Sequence, residues 1–62
     1  MSEEYYYVDT IKDDRTSSTL YYVCHQKRNG NVVIVGQAFY NYWQAEALKD
    51  ELNDDLVDHM RA

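Results

Sequence analysis

The 62-residue chain carries eleven acids against six bases, a formal charge of −5, one cysteine and no proline. That length makes a single domain spanning 1–62, and one cysteine rules out an intrachain disulfide. The acid excess disfavours direct binding to nucleic acid or anionic lipid, because such affinity comes largely from neutralising phosphates.

The first strand is expected at Tyr5–Ile11 (YYYVDTI), rich in the aromatic and β-branched residues that suit a pleated surface. The polar stretch KDDRTSS reads as a connecting loop. A second strand follows at Thr19–Gln26, and Asn29-Gly30 then signals a hairpin, since both residues tolerate the positive φ of a type I′ turn. The segment NVVIVGQAFY returns as the third strand.

Counting outward from a two-residue turn pairs Arg28 with Asn31, Cys24 with Val35, Tyr22 with Gln37 and Leu20 with Phe39. Leu20, Tyr22, Cys24, Val33, Val35 and Phe39 then share one face, which the aliphatic content assigns to the core. Tyr21, Val23, His25 and Ile34 fall on the other. A slip of one residue would exchange the two faces.

From Asn41 the period changes from two to about 3.6. Asn41 and Gln44 fit a capping box, and Ala45, Leu48, Leu52 and Leu56 form an apolar stripe. The helix should reach at least Asp58. The expected fold class is α+β: a three-stranded antiparallel β-meander followed by one C-terminal amphipathic helix packed on one face, in the order β-β-β-α.

Advancing about 100° per residue from Leu48 separates the helix into two sides. Glu46, Asp50, Glu51, Asp54, Asp55 and Asp58 fill about half the circumference, opposite the leucines. The arrangement carries a local cost, since like charges four residues apart each destabilise a helix by roughly 0.2–0.5 kcal/mol. Only Lys49, beside Glu46 and Asn53, offers compensation. Those six carboxylates extend over about 18 Å, roughly one charge per 3 Å, close to the phosphate spacing of one DNA strand. Glu3, Glu4, Asp9, Asp13 and Asp14 would widen the acidic surface if they lie nearby. An acidic helix face also keeps small proteins soluble without further purpose.

No cofactor or metal is expected. Cys24 and His25 are adjacent in a strand and point to opposite faces, and no four-ligand set exists. Cys24 reads as a small buried hydrophobe, His25 as a surface residue and His59 as a helix-end residue. The absence of a phosphate-cradling loop or a nucleophile-base pair argues against an enzyme. No membrane span or signal peptide is expected, and the internal KDEL at 49–52 is not a retention address. A cytoplasmic, reducing compartment is the expectation.

The KDELNDDLVD helix, the Asn29-Gly30 hairpin, the small size and the acid excess resemble small phage-encoded inhibitors of host defence or DNA enzymes, such as anti-CRISPR proteins and uracil-DNA glycosylase inhibitors. The resemblance implies a DNA mimic in a host cytoplasm that blocks a basic nucleic-acid-binding protein or complex. Under it, Glu46, Asp50, Glu51, Asp54, Asp55 and Asp58 contact the partner. The alternative is a small homodimerising or antitoxin-like regulatory module that uses its tyrosine-rich sheet. Tyr21 would then lie in the contact, on the sheet face opposite the helix.

Overall fold

The computed structural model describes residues 3–61, with the side chains of 3–57. The fold is α+β in the expected order: β1 (Tyr5–Asp13), β2 (Ser18–Gln26), β3 (Val32–Phe39) and α1 (Tyr42–Arg61). The strands form one antiparallel sheet in the order β1-β2-β3, with α1 across one face.

The β1–β2 turn occupies Asp14–Ser17 and is closed by local side chains. Asp13 Oδ1 accepts from the Arg15 N–H at 3.0 Å, and Thr16 Oγ1 accepts from the Ser18 N–H at 3.3 Å. Ser17 adopts φ 59°, the one left-handed non-glycine among the described residues.

The second hairpin differs from expectation by one residue. Lys27 pairs with Asn31 (N–H to carbonyl, 2.8 Å), and the Gly30 N–H donates to the Lys27 carbonyl at 3.0 Å. The loop is therefore Arg28-Asn29-Gly30, three residues long. Only Gly30, at φ +94°, is left-handed. This is a type I turn followed by a glycine bulge, in place of the type I′ turn that needs positive φ at both central positions. The Asn29 side chain supports it by accepting from the Asn31 N–H at 3.0 Å.

One added loop residue exchanges the faces of β2. Val23 pairs with Val35 and Cys24 with Ile34, so Tyr21, Val23 and His25 share a face with Val33 and Val35. That face lies under the helix: Val23 is fully buried, and the Tyr21 ring meets Tyr42 of α1 edge-on at 5.5 Å. Leu20, Tyr22 and Cys24, expected in the core, point to the opposite side. His25, expected at the surface, is half-buried; it stacks on Tyr6 at 4.3 Å, and its Nε2 lies 2.9 Å from Glu4 Oε2.

β3 carries a second irregularity. Tyr21 pairs with Phe39 while Val23 pairs with Val35, so Gly36, Gln37 and Ala38 together oppose Tyr22. Two extra residues preserve the alternation, and Phe39 returns to the helix side. Gly36 supplies the bend at φ +72°, beneath Leu48.

The helix begins directly after Asn41. The contact there runs through the main chain, with the Asn41 carbonyl accepting from the Gln44 N–H at 3.2 Å, instead of through the expected side-chain box. Ala45 is fully buried, and its small side chain leaves the helix free to approach the sheet closely. Leu48, Leu52 and Leu56 are half-buried along the same stripe. The core is thin: among the described residues only Val23, Cys24 and Ala45 are buried hydrophobics.

Candidate functional site: the outward side of the helix

Charge is concentrated on α1. Residues 42–61 hold six acids and two bases, net −4, whereas residues 1–41 hold five acids and four bases, net −1. The leucine stripe turns inward, so most of the carboxylates face solvent. Asp50, Glu51, Asp54 and Asp55 are all exposed. The side chain of Asp58 lies outside the described residues.

The two ends of this strip differ. At the N-terminal end Glu46 is held by two donors: the Tyr42 hydroxyl at 2.7 Å and Lys49 Nζ at 2.6 Å. Lys49 also reaches Asp50 Oδ1 at 3.1 Å, although the Asp50 side chain stays 64% exposed. The hydrogen bonds from Lys49 and Tyr42 hold the Glu46 carboxyl below its usual range. Glu46 and Asp50 in turn raise the Lys49 ammonium, and Glu46 raises the Tyr42 hydroxyl. Each shift favours the charge state that completes the cluster.

Farther along, among the described residues, no cation lies within ion-pair distance of Glu51, Asp54 or Asp55. This uncompensated run covers about 6 Å of helix axis. Of the 18 Å read from spacing alone, Lys49 neutralises the N-terminal end, and Asp58 at the other end lies outside the described side chains. The expected Lys49–Asn53 contact does not form. Asn53 instead binds the main chain of Tyr6, donating to its carbonyl at 3.0 Å and accepting from its N–H at 2.9 Å.

The β1 acids do not extend the strip into one surface. Glu4 is bound to His25 on the helix side, while Asp9, opposite Tyr22, points to the other face. Asp13 and Asp14 sit at the first turn.

Three exposed aromatics at the β3–α1 junction had no assigned role in the sequence reading. Tyr40 is 69% exposed, Trp43 66% and Tyr42 52%. Trp43 lies seven residues before Asp50, about 20° away around the axis, so it shares the outward side. The helical wheel alone carried that signal. Tyr21 is half-buried against Tyr42 on the helix side of the sheet.

Among the described residues no group of three or more His, Cys, Asp or Glu side chains is placed to hold a metal ion. No described helix is long and apolar enough to cross a membrane. A shallow open cleft between β1 and α1 is lined by Tyr6, Leu52, Asp55 and Leu56. No protein-family model, curated protein or solved structure matches this chain.

Proposed function

We propose that this chain is a non-enzymatic acidic inhibitor that mimics nucleic-acid charge and occupies a basic surface of a nucleic-acid-binding complex, in the manner of anti-CRISPR proteins. The supporting observation is the outward side of α1, where Asp50, Glu51 and Asp54 stand in solvent on a rigid support, with Asp55 exposed at the rim of the cleft beside Tyr6. Among the described residues no cation relieves the repulsion of Glu51, Asp54 and Asp55, which is what a strip awaiting external cations would show. Trp43 extends the surface two turns toward the helix N-terminus, where an Arg or Lys of the partner can lie over the indole face. The proposed place of action is the cytoplasm, of a host cell if the protein is phage-encoded, and the free thiol of Cys24 suits a reducing compartment.

The test uses the immobilised protein and the nucleic-acid-binding fraction of a cell extract. Captured protein should elute as salt rises and should be displaced by duplex DNA. Combined Glu51→Gln, Asp54→Asn and Asp55→Asn replacement should abolish capture, and Trp43→Ala should weaken it. Capture that survives the triple replacement, or that ignores DNA, refutes the proposal.

A further inference from the structure

The face of the sheet turned away from α1 carries Tyr5, Tyr7, Tyr22, Cys24, Val32 and Ile34, and no described element packs across it. Ile34 is 66% exposed, Val32 47% and Tyr5 45%. These positions adjoin across the three strands, with Ile34 beside Cys24 and Cys24 beside Tyr7. Apart from the buried Cys24, they form an apolar and aromatic surface that spans the three strands.

The chain is elongated, 44 × 22 × 13 Å, and exposes more surface than a compact domain of its size. Its radius of gyration is 13.0 Å, against about 10.6 Å for a compact domain of this length. Its accessible surface is 4837 Å², against about 4,200 Å² for a folded monomer of this mass. The excess is about 600 Å² per chain. Two copies burying that excess would remove about 1,200 Å², the lower bound of a stable specific interface.

We infer that the open sheet face is a homodimer interface, packing against the same face of a second copy to form a four-layer α-β-β-α particle. Charge distribution selects a second copy with this orientation. Asp9 and Asp13, both on edge strand β1, are the acids on this face, while the net −4 segment lies on the far side of each sheet. With sheets about 10 Å apart and a helix about 10 Å thick on each flank, the two acidic strips stand roughly 40 Å apart. That is several times the Debye length of about 8 Å at physiological salt. Packing helix against helix would instead bring the strips together. The inference does not depend on what the acidic strips bind; if they bind, the dimer presents two of them, facing opposite ways.

Analytical ultracentrifugation of the full chain tests it. The wild-type protein should sediment at twice the 7.4 kDa chain mass at micromolar concentration. Added salt should leave this dimer intact, because strips so far apart are already screened from one another, unlike the loss expected for a basic partner. Ile34→Lys should raise the dimer Kd at least about 30-fold, the scale of a central interface residue. Its circular dichroism should be unchanged, since Ile34 makes little contribution to the monomer core. Val33→Lys is the control, one residue along and pointing to the helix side, and it should leave the Kd within about threefold. The triple replacement of Glu51, Asp54 and Asp55 should leave the dimer intact. A wild-type monomer up to millimolar concentration overturns the inference. So does an Ile34→Lys protein that still dimerises, or a Val33→Lys protein that dissociates equally.

Discussion

Asn53 grips Tyr6 by its main chain, 47 residues away in sequence, with one amide group serving as both donor and acceptor. Tyr6 lies on β1, an edge strand whose outward N–H and C=O groups would otherwise lack partners in the sheet. The side chain therefore does locally what a fourth strand would do, and it sets the helix at a definite height along β1. Asn53→Leu should lower stability by about 1–3 kcal/mol, two hydrogen bonds at roughly 0.5–1.5 kcal/mol each. Asn53→Asp should be at least as harmful, because it sets an oxygen against the Tyr6 carbonyl. Urea unfolding of the two variants checks both statements.

Gly36 tests the bulge in β3. A Cβ there would meet Leu48 Cδ2 at an ordinary 3.8 Å, so space is available. The obstacle is φ +72°, which costs an L-residue roughly 1–2 kcal/mol. Gly36→Ala should lose about that much stability in urea unfolding, without creating an overpacked core.

The acidic strip should show opposite effects on stability and on binding. Neutralising Glu51, Asp54 and Asp55 removes the Glu51/Asp55 and Asp50/Asp54 repulsions, worth about 0.4–1 kcal/mol together. The triple variant should therefore melt higher than wild type while losing its basic partner. A variant that lost binding through unfolding would melt lower, so thermal denaturation separates the two explanations.

The Tyr42-Glu46-Lys49 cluster predicts how stability depends on pH. The Glu46 carboxyl is lowered in the fold, so its contribution is present above the ordinary carboxylate range and fades as pH falls through the folded value. Lys49 and Tyr42 are raised, so theirs are present below their ordinary values and fade as pH climbs through the folded ones. Burial also raises Tyr7 and Tyr22, adding to the alkaline side. Melting temperature should fall at both ends of the pH range. Glu46→Gln should flatten the acid limb, and Tyr42→Phe should reduce the alkaline one.

Cys24 is 3% exposed, and burial pushes its thiol up, with a hydrogen bond to Tyr7 pulling the other way. Nucleophilic reactivity needs thiolate and access, and the fold withholds both. Iodoacetamide should leave the native protein unmodified at neutral pH and label it rapidly in urea. Prompt labelling of the native protein would contradict the described packing.

Read alone, the chain settled whatever local periodicity controls. Runs of aromatic and β-branched residues in Tyr5–Ile11 and Thr19–Gln26 marked strands, and the spacing of Ala45, Leu48, Leu52 and Leu56 marked a helix with carboxylates opposite. Both patterns are repeated over several residues, so a single exception cannot erase them. The order β-β-β-α followed, and so did the exposed side of α1.

Tertiary structure decided what depends on one residue or on distant neighbours. Whether Asn29-Gly30 closes a two- or three-residue loop is a small local energy difference, yet it determines whether Val23 or Cys24 faces the helix. Lys49 could reach Glu46, Asp50 or Asn53 from its place on the helix. The choice fell to the first two because Tyr6, brought up by the sheet, satisfies both polar groups of the Asn53 amide. Register and hydrogen-bond partnership are global properties, since each is fixed by groups the chain brings together only on folding.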